Sequence, residues 1–307
     1  MSDVIGDRLI AAEPTPMRAD ESLDLAALES LVEADIARGV EGVYIGGSTG
    51  EGVLMSAQER AQLAAAASSA AAGRIPVYVH VGAMSTRESI EIADAAAQAG
   101  AAAISMIPPL YYKYSTDDVV AHFRAVIDAV DLPFVLYNIP QFTGRDVADG
   151  GFESILELPQ VVGIKHTSQN LFGAERLMHR HPRLALINGF DELYLAVRAL
   201  GARAAIGTTV GLQIDLFRSL RARADRGDLL GARVVQTRIN DTVEAMVAVG
   251  VFAAAKYLGG KYAGELGVCR RPLPGLDAEG RRRLDAAWDR LVENVETTAS
   301  EDASSAV

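Results

Sequence analysis

Lysine is scarce in this chain. Of 29 basic residues only four are Lys, at 113, 165, 256 and 261. Lys165 closes the apolar run Val161-Val162-Gly163-Ile164, a continuous stretch that reads as a buried strand. Burying an ammonium is costly, so such a group tends to shed its proton and become a free amine. A neutral amine attacks ketones to give a Schiff base, and that is the first chemistry suggested here. The competing reading is a structural lysine paired with a carboxylate at a strand end.

Other segments could serve such an amine. Gly46-Gly47-Ser48-Thr49-Gly50-Glu51 is a turn in which glycines let the backbone come close to a ligand. Its amides and the hydroxyls of Ser48 and Thr49 can converge on an anion, and a carboxylate fits as well as a phosphate. An ordinary β-to-α turn with Ser/Thr capping would look the same. The stretch is too short for a P-loop, and no Lys follows the glycines. Tyr137, in Tyr137-Asn138-Ile139-Pro140, lies 28 residues before Lys165. Taken alone it is a core aromatic, but a phenol beside the amine can relay protons during imine formation and cleavage.

Asn188-Gly189-Phe190-Asp191-Glu192 places two adjacent acids just past another apolar run. They either cap a helix or accept hydrogen bonds from a polyhydroxylated substrate. Gly207-Thr208-Thr209 could cradle a phosphate, although the nearby acids argue against a phosphorylated substrate. The five histidines (80, 122, 166, 179, 181) share no ligand spacing beyond the pair 179 and 181, so no metal is expected. Lys256 is expected to snorkel or pair, and Cys269 to be an inert, buried or half-buried thiol.

These groups need elements that bring them to one place. Apolar runs of strand length fall at 8–12, 42–45, 76–81, 102–107, 133–137, 161–165, 184–188 and 203–206, each followed by a helical pattern. Continuous apolar strands alternating with helices imply a parallel sheet covered by helices. Ser56-Ala57-Gln58-Glu59 and Ser85-Thr86-Arg87-Glu88 read as capping boxes, and Ser115-Thr116-Asp117-Asp118 as a looser acidic version. Eight strands before residue 207 favour an α/β fold of the (β/α)₈ TIM barrel type, whose reactive groups gather at the C-terminal strand ends. No Gly-x-Gly-x-x-Gly opens the first helix, which disfavours a dinucleotide-binding sheet. Beyond residue 211 only helices are expected, at 212–225, 229–249 and 280–297, with 250–258 continuing or restarting the second. The expected division is a barrel over 1–225 and a helical C-terminal extension packed on it over 226–298. Residues 299–307, small and polar, are expected as a disordered tail.

Composition narrows the partners. A 307-residue chain with 50% apolar residues can bury a large core. A net charge of −11 and a pI near 5.0 argue against nucleic acid and against an anionic membrane surface. An anionic substrate would need local donors working against that field. One cysteine excludes an intrachain disulfide and suits a reducing, cytoplasmic compartment. Met1-Ser2-Asp3-Val4 shows no signal-peptide pattern, and no apolar stretch is long enough to span a bilayer.

Gly47-Ser48-Thr49-Gly50-Glu51, Tyr137-Asn138-Ile139-Pro140 and Gly163-Ile164-Lys165-His166-Thr167-Ser168 occur in this order and spacing. Over roughly residues 5–295 the chain thereby resembles the pyruvate-dependent class I aldolases typified by dihydrodipicolinate synthase and N-acetylneuraminate lyase. The resemblance implies that Lys165 is the Schiff-base lysine, Ser48 and Thr49 the carboxylate binders and Tyr137 the proton shuttle. It implies that Tyr111, in Pro108-Pro109-Leu110-Tyr111-Tyr112, is lent to a neighbouring subunit's site within a homotetramer. Dihydrodipicolinate synthases carry an arginine where this chain has Phe142, whereas Thr167, Gly189, Asp191, Glu192 and Thr208 match substrate contacts of the lyase branch. His166 and Thr208 replace a Gln and a Ser common there, and Glu13 has no counterpart in the pattern. The implied activity is reversible cleavage of a 2-oxo sugar acid, foremost N-acetylneuraminate, without metal or dissociable cofactor. A 2-keto-3-deoxy sugar acid aldolase or dehydratase, a ring-forming synthase and a non-catalytic 2-oxo acid sensor are the alternatives.

Overall fold

A computed structural model describes residues 4–305. The first four strands are β1 (Leu9–Ala12), β2 (Gly42–Ile45), β3 (Val77–His80) and β4 (Ala103–Met106). The others are β5 (Phe134–Asn138), β6 (Val161–His166), β7 (Ala185–Asn188) and β8 (Ala204–Gly207). They pair in parallel in chain order, and β8 returns to β1 to close the barrel. Each expected strand lies within one residue of the observed one at either end.

Side chains alternate between the two faces of each strand. Ile10, Tyr44, Tyr78, Val135, Ile187 and Ile206 fill the inside of the barrel as one cluster. Their neighbours Val43, Val79, Ile104, Leu136 and Ile164 face outward into the helical layer. That layer comprises α1 (Leu25–Arg38), α2 (Ala57–Ala71), α3 (Thr86–Gln98), α4 (Thr116–Ile127), α5 (Pro140–Thr143), α6 (Glu153–Leu156), α7 (Leu171–Arg180), α8 (Tyr194–Ala199) and α9 (Ile214–Asp225). The Ser56 box closes in both directions, and so does the acidic one at Ser115 and Asp118. At α3 only half forms, with Ser85 accepting from the Glu88 amide.

The remaining helices are α10 (Leu229–Val249), α11 (Val251–Ala263) and α12 (Ala278–Ser305). α10 packs on α9, α11 on α1, and α12 on α9, α10 and α11. The expected tail is corrected: the last helix runs on to Ser305, and residues 306 and 307 lie outside the described residues. The cause is long-range charge pairing. Arg223 reaches Glu301 at 3.0 Å and Asp302 at 2.8 Å, and Arg238 reaches Glu301 at 2.6 Å. Thr298 Oγ1 also accepts from Arg238 at 2.6 Å. Among the described residues no helix is long and apolar enough to cross a membrane.

Candidate active site

β5 and β6 are registered so that Tyr137 and Lys165 are direct partners across the ladder. Both point into the C-terminal mouth and both are buried. Lys165 Nζ lies 4.1 Å from the centroid of the Tyr137 ring and 4.3 Å from that of Tyr44. Among the described residues no carboxylate stands within ion-pairing distance of this amine, so the structural-lysine reading finds no partner. His80 completes the aromatic box, its ring centroid 6.1 Å from Tyr137 and 6.4 Å from Tyr44. Burial first, then the neighbouring Arg60 and Lys165, push the proton affinity of His80 well below its ordinary value. The Tyr44 phenol, raised well above its ordinary range by burial, lies 3.3 Å from Ser105 Oγ.

The turn after β2 lies over the Tyr44 ring. A Cβ at Gly47 would sit 2.4 Å from Tyr44 Cε1, so this close approach requires glycine. Thr49 Oγ1 shares a 2.7 Å hydrogen bond with Thr208 Oγ1 across the mouth, and Ser48 is half-buried beside it. Glu51, which ends the turn, has a left-handed backbone at φ 59°. Its carboxylate meets Lys256 Nζ at 2.6 Å with both side chains almost fully buried. It also accepts from the Arg270 amide at 2.7 Å. The expectation that Lys256 pairs is thus met by the motif's own acid, and the amine also donates to the Val268 carbonyl. Cys269, nearby, is buried, and burial raises its thiol to about 11.

Opposite lies the β7–β8 side. Asp191 Oδ2 accepts from the Thr209 amide and hydroxyl, both at 2.8 Å, while Oδ1 has no partner among the described residues. Burial raises this carboxyl to about 6 against the pull of the Thr209 bonds. Gly207 is required here, because a Cβ would fall 1.6 Å from Asp191 Oδ1. Thr167 Oγ1 is buried without a partner among the described residues and faces Gly189. Glu192 and Thr208 are half-buried.

A cavity of about 170 Å³ gathers Ser48, Thr49, Tyr137, Lys165, Thr167, Gly189, Asp191, Glu192 and Thr208. All the expected site residues meet there except Tyr111, which lies in the loop after β4, is 87% exposed and has φ 75°. Four features were missed from the sequence. Tyr44 and His80 drew no site reading within their strand runs, nor did Arg60 in the helix after Ser56 or the cavity wall Val243, Val247, Val251 and Phe252 of α10 and α11. The two-residue alternation of β2 and β3 was the available signal for Tyr44 and His80. His166, facing away from Lys165 along β6, has its Nδ1 3.2 Å from Asn138 Nδ2, and Asn138 also donates to Asp146 at 2.8 Å.

A larger cavity of about 700 Å³ lies between α11, α12 and the 265–276 segment. Lys256, Lys261 and Arg271 on its walls are paired with Glu51, Asp285 and Glu21. Among the described residues no three His, Cys, Asp or Glu side chains stand together as a metal site.

Comparison with known proteins agrees with this geometry. A family model described as "Dihydrodipicolinate synthetase family" matches residues 6–290. The N-acetylneuraminate lyase of Rhizobium meliloti (strain 1021) is 40% identical over 258 residues, covering 84% of this chain and 86% of its own length. The structure of the wild-type Ruminococcus gnavus sialic acid aldolase superposes with a TM-score of 0.91 at 26% identity, covering 95% of this chain and 99% of that one. The Proteus mirabilis N-acetylneuraminate lyase gives 0.88 at 28% identity over 94% and 99%.

Proposed function

The chain belongs to the dihydrodipicolinate synthetase family, and from that premise we propose that it is a Schiff-base lyase acting on a 2-oxo sugar acid. The reaction is reversible cleavage to pyruvate and an aldehyde, with N-acetylneuraminate giving N-acetylmannosamine plus pyruvate. One observation carries this reading: Lys165 Nζ stands between two tyrosine rings, and its cavity also holds the Ser48–Thr49 turn and the Asp191–Glu192 pair.

In the cleavage direction the carboxylate sits against Ser48 and Thr49, and the Lys165 amine attacks the C2 ketone, losing water to form an iminium. Tyr137 removes the C4 hydroxyl proton. The C3–C4 bond breaks, its electrons flow into the iminium, and the aldehyde departs. The enamine left on Lys165 takes a proton at C3 and is hydrolysed to pyruvate. Thr167, Gly189, Asp191, Glu192 and Thr208 hold the hydroxylated tail. Phe142 at the mouth offers no cation for a second carboxylate, which favours a sugar acid over a dicarboxylate product.

The exposed Tyr111 and Tyr112 (87% and 68%) support a homotetramer in which Tyr111 completes a partner's site, and light scattering of the purified protein measures that state. A lone buried thiol supports a cytoplasmic location. The deciding experiment is borohydride reduction with pyruvate followed by peptide mass analysis. An adduct on Lys165 is expected, and an unmodified Lys165 rejects the mechanism. Turnover assays with N-acetylneuraminate, 2-keto-3-deoxygluconate, and aspartate semialdehyde plus pyruvate then fix the aldehyde side. Turnover of the last alone would overturn the lyase assignment.

A further inference from the structure

Arg60 lies on the inner face of α2 and is 2% exposed. Its Nη1 donates to the Gly82 carbonyl at 2.7 Å, while Nη2 donates to the His80 carbonyl and lies 3.0 Å from His80 Nδ1. All of these partners are neutral. Among the described residues no carboxylate stands within ion-pairing distance of the guanidinium, and Glu88 acts on it only at longer range. Burial pushes its pKa down to about 10, which still leaves it charged at neutral pH. Among the described residues the Nε–H has no partner, and it faces the 46–49 turn, 3.8 Å from where a Cβ on Gly46 would stand. Burying a cation without a counter-ion is expensive, and folds rarely retain one without use.

We propose that Arg60 is the fixed counter-cation of the substrate carboxylate. It touches neither the substrate nor the reacting atoms. It is a positioning residue that acts through the 46–49 turn and through His80, which borders the Lys165 box. The inference rests on the reading that a 2-oxo acid binds at Ser48 and Thr49. A chain of net charge −11 repels anions at long range, and the neutral donors of the turn supply no net charge to offset that repulsion. A guanidinium buried behind the turn reverses the local sign, and protein rather than solvent fills the intervening space, so its field is weakly screened.

The test uses borohydride trapping with pyruvate and with pyruvamide, its neutral isostere, on wild type, Arg60→Gln and Arg60→Lys. Gln keeps donors for the Gly82 and His80 carbonyls but removes the charge. Trapping of pyruvate by wild type secures the underlying reading; its failure there rejects that reading and leaves Arg60 without a substrate to attract. Given that result, Arg60→Gln is expected to raise the half-saturating pyruvate concentration about tenfold while changing that for pyruvamide less than twofold. Arg60→Lys is expected to recover most of the loss. Equal weakening of both ligands in Arg60→Gln, or no weakening at all, overturns the proposal, as does a folded Arg60→Lys as impaired as Arg60→Gln. Should Arg60→Gln not fold, wild type decides the matter: its preference for pyruvate over pyruvamide must persist at high salt. Loss of the preference at high salt would assign it to surface charges and sink the idea.

Discussion

The two sides of the catalytic cavity are built differently. On the side proposed to take the keto acid, Tyr137 and Lys165 stand on paired strands, Thr49 is buried beside them, and the turn is tied down by the Glu51–Lys256 pair. On the aldehyde side the surfaces come from helices and turns. Phe142 is 55% exposed, Val247 is 65% exposed, and Glu192 and Thr208 are half-buried. Chemistry that must not move is placed on the barrel itself, where rotamers are locked by packing. Recognition of the variable part of the substrate is left to pieces that can change without disturbing the strands. This division explains how one family holds both ring-forming synthases and sugar acid lyases.

The contrast can be broken most directly at Lys165. Lys165→Ala is expected to cut turnover on the order of 10⁴-fold or more, while circular dichroism and the thermal midpoint stay near wild type. Residual turnover within tenfold would move the chemistry elsewhere. Glu51→Gln strands the buried Lys256 charge and should cost about 3–5 kcal/mol in urea unfolding. A loss below about 1 kcal/mol would show that the turn is not braced as described.

The aldehyde side should respond more mildly, and partly to pH. The folded protein holds the Asp191 proton up to about 6, against about 3.9 for an unfolded aspartate. The native state therefore binds this proton more tightly. Its stabilising contribution is full below about pH 4 and declines as the pH rises to about 6, by about 3 kcal/mol in all. Asp191→Asn should remove that slope from the difference in unfolding free energy between pH 4.5 and 7; an unchanged slope would assign it to another group. The smallest effect belongs to Phe142→Ala. It should raise KM for the sugar acid about fivefold and leave borohydride trapping of pyruvate within twofold. Equal loss in both assays would erase the distinction between the two sides.

Much of this was legible in the chain because it is local. Strand runs, glycine-rich turns and capping serines specify the barrel over short windows, and the strand-end residues Lys165, Tyr137, Ser48 and Thr49 follow from it. What stayed hidden depends on partners far away in sequence. Tyr44 on an apolar strand has the same signature whether it faces only the core or the Lys165 amine. Arg60, in the first turn of a capped alanine-rich helix, resembles a solvated arginine until His80 and Gly82 are folded onto it. Residues 299–305 are small and polar enough to pass for an unstructured tail, and the distant partners Arg223, Arg238 and Ser219 reveal why they are helical. Lys256 could be read as paired, but its partner lies on the far side of the sequence in the carboxylate turn.

That last contact bears on where this molecule could be cut. The C-terminal helices look like an accessory that a minimal barrel could do without, yet α11 supplies Lys256, which pairs with the acid of the 46–51 turn. A protein ended at the last barrel helix would leave the Glu51 carboxyl without its Lys256 partner in an apolar hollow and free the turn to swing away from Tyr44. Removing the appendage would therefore unbrace the turn and strip the cavity of its Val243, Val247, Val251 and Phe252 wall, so the two parts must be inherited, transplanted or redesigned together.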